Sequence, residues 1–552
     1  LLSDAAGHLV VHGGRLAGPS GAPVVDVSGG TLDLSLGADV EGTEAVRIMN
    51  SGDGVRDFRG RVSGGTVYLQ SNGGQTRFEG GLNLADDAGG ALVAASAGTL
   101  AVIDPPGPGN NTLESTLGAL VMSSTTIAAD GMTFERISSV GATNGIGLSG
   151  TAGGALIVTG TDSPCADRTD ACAGGVIANS TGSGVFLDNV HNVVRLQQMR
   201  VEGSAGDGIR ALNGTTGVDL RDSVVADNGN GPEDHGIALE DVQGAASVAD
   251  STLVSNQDDN LWVVQHGGAL SLSVDRTTLD GAAGGIIVDA DGGAVDAVVD
   301  GTRMAGNTGP GLSVLASGTA TVDLTVRDSD VRDRDQAHRA GASQIQLSPE
   351  DRATVRALLE NVTLADSNGD GVDVSATGSA VLDATVRGST VLAPAGAGIT
   401  DHSVDGTVRL TVDATTITGY GTYGLDLFHA GPGGGTGRAS YVVTRSTLSQ
   451  PDPTANDGIT LRVGQDDADP ATVCASIGGL GLENDLGGGG AAGMPDVRIS
   501  TRPAATLLLP GWTGDATTYV QGRNTGTPDV LATLAGATSA TQTCDTAQLP
   551  AP

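Results

Sequence analysis

The sequence predicts an all-β chain, wound as a right-handed single-stranded parallel β-helix of about twenty coils. Three observations carry this prediction. A motif of Gly, aliphatic, any residue, aliphatic recurs along most of the chain, a second motif runs in phase with it, and the composition lacks the aromatic bulk of ordinary globular cores. Among 552 residues there are 88 Gly and only 2% aromatic residues, so a core must be built from Val, Ile, Leu and Ala.

The first motif reads "GIGL" at Gly145, "GVFL" at Gly184, "GIAL" at Gly236, "GIIV" at Gly285, "GLSV" at Gly311, "GVDV" at Gly371, "GLDL" at Gly424 and "GITL" at Gly458. Looser copies fill the gaps at Gly208, Asn260, Gln344 and Gly398, and from Gly184 onward the starts are 24 to 34 residues apart. The second motif is a small polar pair followed by an aliphatic residue, with Val225, Leu253, Leu279, Met304, Leu364, Val391, Ile417 and Leu448 as the aliphatic members. Between the two lies a short alternating segment such as "AVDAVVD" or "VRLTVDATT". Each repeat is therefore three short strands separated by turns.

Alternation puts one face of each strand in and one out, and no stretch sustains a helical period. One such repeat cannot bury its apolar face alone, whereas stacked copies align like strands into parallel sheets. Strand twist and the chirality of parallel connections favour right-handed winding. At about 4.8 Å per coil, the stack would be a rod on the order of 90 Å long. A propeller would want blades of roughly 40 to 50 residues, and immunoglobulin-like domains about 100, so neither fits.

Within one repeat, "GDGIRALNGTTGVDLRDSVVADNGNG" at 206–231, Ile209 and Leu212 read as first-strand residues, with Ala211 taking up a small irregularity. Val218 and Leu220 fall in the second strand and Val225 in the third. Asp207, Asp222, Asp227 and Asn228 fall at turns, and Asn228 recurs as Asn256 and Asn307, the pattern of a stacked Asn ladder. Residues 1–118 read as less regular coils, 119–470 as the regular repeat, and 471–552 as a closing coil and cap that covers exposed strand edges.

The formal net charge is −36, and every one of the 28 basic residues is Arg. Such a surface repels nucleic acid, anionic lipid and polyuronate unless a divalent cation intervenes. No apolar run is long enough for a membrane-spanning helix, and "LLSDAAGHLV" lacks the pattern of a signal peptide, so the chain reads as a mature or excised portion. Four Cys occur. Cys165 and Cys172 flank a polar turn suited to a short disulfide, leaving Cys474 and Cys544 to pair, whereas zinc would want tighter CxxC spacing or His partners. Disulfides imply an oxidising, extracytoplasmic location.

The text "STTIAADGMTFERISSVGATNGIGLSGTAGGALIVTGT" (123–160), with "GGVIANSTGSGVFLDNVHNVVRLQQMRVEGSAGDGI" (174–209), resembles the β-helix repeats of large secreted bacterial surface proteins. The tail "CASIGGLGLENDL...VRISTRPAATLLLPGW...YVQGRNTGTPDV" is similar to the end of that module. The resemblance covers roughly residues 120–530 and implies a fold and an exported location more than a reaction. The fold so implied resembles that of pectin lyases and polygalacturonases, which are enzymes, and of autotransporter passengers, which are mostly adhesins.

Fold alone does not assign function, so the chemistry must be sought in residues. "EDHG" at 233–236 and "QDDN" at 257–260 lie one coil apart, so that Asp234 and His235 could stack near Asp258 and Asp259 as paired carboxylates beside a His. The plainer reading makes both polar turns. "DSNGDGVD" opens like a calcium loop, with Asp366, Asn368 and Asp370 as oxygen ligands, but Thr377 stands where the loop needs Glu. Ordinary turn chemistry accounts for it. Beyond calcium, no cofactor is called for. Lysine-based lyase chemistry is excluded by the absence of Lys, while an Arg-based lyase with calcium bridging an anionic substrate stays open. No G-x-S-x-G elbow, phosphate-binding loop or H-E-x-x-H occurs.

The leading expectation is a non-enzymatic extracellular module, an adhesin or cell-envelope protein with a cell-surface or matrix ligand, glycan or protein. A polysaccharide lyase or hydrolase acting in a groove is the alternative, and self-association into a surface filament is a third. Stacked carboxylates near an Arg or an aromatic would favour the enzyme, and scattered acids the module.

Overall fold

A computed structural model describes residues 1–18, 21–86, 89–105, 110–161, 165, 169, 172–332, 342–431, 437–450, 456–541 and 543–550. The chain divides into two compact units, Leu1–Trp262 and Val263–Pro552. Each is a parallel β-helix, and the described residues hold a single short helix, Ala516–Gln521, whose first turn is capped by Asp515.

In the first unit the repeat 206–231 folds as the strands Ile209–Leu212, Gly217–Arg221 and Val224–Ala226. Each pairs in parallel with its counterpart one repeat earlier and one repeat later. The expected irregularity at Ala211 is absent. Ala211 stands in the core column between Leu187 and Leu239, fully buried, and Leu212 faces the other way between Asp188 and Glu240. Strict alternation along the strand explains this: two positions after Ile209 is Ala211, so the larger Leu212 falls on the outer face.

The second unit shows the same three columns. Its second strands run from Ala269–Asp275 through Ala294–Asp300, Thr321–Arg327, Thr354–Glu360, Val381–Arg387 and Thr407–Asp413 to Arg438–Thr444 without a register shift. Like therefore stacks on like, as in the buried series Val295, Val322, Val355, Leu382 and Val408. The residues from about 471 continue the parallel pairing, with Val497–Thr501 on Ile459–Val463 and the largely exposed Val530–Leu534 on Val497–Thr501.

Corners between second and third strands are made by one residue in the left-handed region, such as Asp222 (φ 45°) and Asp250 (φ 51°) in the first unit and Asp328 (φ 47°) and Asn361 (φ 56°) in the second. Asp and Asn tolerate this conformation better than other non-glycine residues. After Asp222, Asp250 and Asp328 the next residue is a buried Ser whose hydroxyl takes an amide proton from the coil beside it, whereas Val362 follows Asn361. Met199 donates to Ser223 at 3.0 Å and Ser223 to Ser251 at 3.2 Å, and in the second unit Thr302 donates to Ser329 at 3.1 Å. This is the physical content of the small polar pair in the second sequence motif.

The Asn ladder forms where the first unit supplies consecutive Asn residues: Asn228 Nδ2 donates to Asn256 Oδ1 at 3.1 Å, and Asn228 Oδ1 accepts from the Ser204 amide at 3.0 Å. In the second unit Asn307 accepts from the amide of Ala282, which occupies the ladder place one coil earlier. A further pair that the motifs did not flag, Asn484 and Asn524, stacks at 2.9 Å.

One interior charge stands out in the first unit. Arg56 is fully buried and donates to the carbonyls of Gly73 at 3.0 Å and Gly52 at 2.6 Å and to Ser51 Oγ, tying two neighbouring turns together. Burial lowers its pKa, against the pull of Asp33 and Asp53. Arg56→Met should cost about 2–4 kcal/mol in thermal unfolding, because those acceptors lose their donor where water cannot replace it.

Candidate functional site

The sequence-derived candidates of the first unit are partly brought together. Asp207 and His235 stand two residues before the strands Ile209–Leu212 and Ile237–Glu240, Asp259 opens the strand Asp259–Gln265, and main-chain bonds from Gly208 to His235 and from Gly236 to Asp259 stack them. Ligand atoms of His235, Asp258 and Asp259 lie within 4.8 Å of one another. His235 Nδ1 is 3.4 Å from Asp259 Oδ2, and the Trp262 ring lies parallel to the imidazole with centroids 4.5 Å apart. Asp234 is drawn elsewhere: its Oδ2 accepts the amides of Asn230 and Gly231, so its carboxylate shapes the turn.

Asp366, Asn368 and Asp370 lie in the turn between Thr363–Ala365 and Val372–Val374. Asp366 is a left-handed corner residue (φ 59°), and Asp370 Oδ1 accepts the Ala397 amide of the next coil at 2.6 Å. Turn geometry thus employs both carboxylate-bearing positions, and a separate group of three His and Asp side chains among the described residues lies at His235, Asp258 and Asp259. Both expected disulfides, Cys165–Cys172 and Cys474–Cys544, are formed.

A polar constellation that motif reading missed is formed by described residues. It lies on the outward face of the first-strand column in the second unit, where strand register builds two adjacent rows. Asp373, Thr400, Asp426, Thr460 and Arg498 make one row, and His402, Phe428, Arg462 and Ser500 the other. Arg462 Nη2 donates to both oxygens of Asp426, at 2.8 and 3.0 Å, and His402 Nε2 lies 3.3 Å from the same carboxylate. The Arg462 guanidinium sits 5.1 Å from the centre of the Phe428 ring, and His402 meets that ring edge-on. A parallel pair follows one coil on: Arg498 donates twice to Asp457, which also accepts from Thr460.

Asp426 and Asp373 are set apart electrostatically. Burial pushes Asp426 up, yet the His402 hydrogen bond and the Arg462 charge outweigh it and hold the group below the usual carboxylate range. The same hydrogen bond raises His402. Asp373, two coils from Asp426, is raised by burial and by the charge of Asp370, with His402 opposing. Beside the rows opens a cleft of about 550 Å³ lined by Phe428, Arg462, Gln465, Arg498, Ser500 and Arg502.

Beneath this face Asp401 occupies an inward place, between Val374 and Leu427, where the repeat normally puts an aliphatic residue. It is fully buried, accepts hydroxyl protons from Ser403 and Tyr441, and is pushed up to about 7 by burial. His429, in register with Ser403, is also fully buried, and neither ring nitrogen has a hydrogen-bond partner. Burial lowers it to about 4.

No protein-family model, curated protein or solved structure matches the chain. The functional reading therefore rests on these residues and on general chemistry. A usable signal was present in the sequence: the unconstrained third place of the first motif is the outward row, and it turns charged or hydroxylic from Asp373 onward. The weak copy "GIT" at Gly398 departs from the motif because Asp401 fills its last aliphatic place.

Proposed function

We propose that the protein is an extracytoplasmic β-helical binding module that holds a polysaccharide along the outward rows of its second unit. The observation carrying this reading is the Asp426, Arg462, His402 and Phe428 constellation opening onto the adjoining cleft. Fixed ion pairs spaced by the rungs of a sheet offer a hydroxyl-rich polymer repeated acceptors and donors, and Phe428 offers one apolar ring face. The two disulfides fit an oxidising compartment, and among the described residues no helix is long and apolar enough to cross a membrane.

Affinity electrophoresis through gels containing neutral and acidic polysaccharides tests the proposal. At least one polymer should retard the chain, and Arg462→Met or His402→Gln should weaken that retardation by about tenfold, equivalent to ~1.4 kcal/mol. Equal retardation of all three proteins, or of none, would refute it.

One observation favours a hydrolytic second reading. Asp373 and Asp426 stand two rungs and so about 10 Å apart along the backbone, with His402 on the coil between and opposite pKa shifts. A raised acid in the same row as an ionised carboxylate is the kind of pair that inversion at a glycosidic carbon uses, at carboxyl separations of about 6.5–9.5 Å. Release of reducing ends that disappears in Asp373→Asn would establish this reading, and binding without release would restrict the protein to recognition.

A further inference from the structure

The cluster in the first unit has a different character from the face just described. We infer that His235, Asp258 and Asp259 form a binding site for a divalent transition metal, zinc being the best fit. Imidazole nitrogen with two carboxylates is a donor set that suits zinc and its neighbours better than calcium, which takes oxygen ligands only.

Geometry supports this independently of composition. The Asp259 amide donates its N–H to His235 Nδ1 at 3.3 Å, a long bond that a metal on this nitrogen would replace, and Asp259 Oδ2 lies 3.4 Å from the same atom. For metal–ligand bonds of about 2.1 Å in a tetrahedral shell, neighbouring ligand atoms are separated by about 3.4 Å, so the pair already spans one edge. Asp258, half-buried on the adjacent main-chain position, supplies the third donor, within 4.8 Å of the other two.

The surroundings hold the imidazole in place. His235 is 3% exposed, its main-chain N–H is bound by Asp207 Oδ1 at 2.8 Å, and the Trp262 ring lies flat against it. The Asp258 amide is bound to the Asp234 carbonyl at 3.0 Å, which ties the two donor-bearing turns together. Asp234 is thereby a positioning residue, acting through main-chain geometry.

The stacked indole also supplies the readout. The chain has two Trp residues, Trp262 and Trp512, so Trp512→Phe leaves Trp262 as the sole indole. In that background, chelator-stripped full-length chain titrated with cobalt chloride should lose indole fluorescence at one equivalent. Calorimetry with zinc chloride alone should give the same stoichiometry and a micromolar or tighter dissociation constant. Asp259→Asn, which preserves shape, should weaken zinc about 100-fold, and His235→Asn should do the same. Thermal unfolding without metal checks that each variant is folded; should His235→Asn fail, Asp259→Asn decides alone. No uptake, uptake unchanged in the folded variants, or heat from calcium chloride in place of zinc would overturn the assignment.

Discussion

Removing the buried His429 should make stability fall as pH rises from about 4.5 to about 6.5, and removing the buried Asp401 should make it rise over the same interval. The folded chain holds a proton on Asp401 up to about pH 7, whereas an unfolded Asp releases it near pH 4. Between those values the folded state binds the extra proton, so this group's contribution declines as pH rises. His429 acts in reverse: it stays neutral when folded down to about pH 4, while an unfolded His takes up its proton near 6.5. Its contribution is complete above 6.5 and is lost as pH falls toward 4.

In the unmodified chain the two slopes, each about 1.4 kcal/mol per pH unit, oppose one another between about pH 4 and 6.5 and nearly cancel. His429→Gln leaves the Asp401 slope uncompensated, and Asp401→Asn leaves that of His429. Relative to the unmodified chain, urea unfolding at the two pH values should show changes of up to about 3 kcal/mol with opposite signs. Parallel pH profiles for all three proteins would show that neither group titrates as its burial dictates.

Loss of the second disulfide should be the larger of two redox effects. Cys474 and Cys544 are 70 residues apart in sequence, against 7 for Cys165 and Cys172. Chain-entropy arguments give about 4 kcal/mol for the longer loop and about 2 kcal/mol for the shorter. The long link also fixes the chain terminus against the second-strand column, where Ser440 Oγ donates to the Asp545 carbonyl at 2.6 Å and the Ala547 amide to Thr411 Oγ1 at 3.2 Å. Cys474→Ser with Cys544→Ser should release this segment to proteolysis and lower the unfolding midpoint of the second unit. The matching pair at Cys165 and Cys172 should have about half the effect. Equal effects would mean that loop length does not govern the stabilisation.

The coil architecture was legible because its cause is local. Alternation, the Gly before most first strands and the small polar residue at most corners are all short-range demands, restated from repeat to repeat. Ala211 was misread because attention to residue size overrode the two-residue period, which is the stronger rule. The turn cluster was visible since His235 and Asp259 sit at one repeat position in adjacent coils, with Asp258 beside Asp259. The outward rows were not, because Asp373, Asp426 and Arg462 are 36 to 89 residues apart and meet only through register. A site made by stacking becomes readable when the repeats are aligned and read down the columns. Asp401 teaches the same lesson from inside: a polar residue in an aliphatic column signals something that the scaffold alone does not require.

The unbroken register of the second strands has a practical meaning for design. Because each coil meets its neighbours through the same ladder of amides and hydroxyls, the coil behaves as an interchangeable cassette with a fixed thickness. Removing one whole repeat between two functional groups would bring them nearer by a single step while leaving each group's immediate support intact. A chain of this kind therefore carries a built-in molecular vernier, on which the span between two recognition groups can be set in whole increments and matched to the repeat of a polymer.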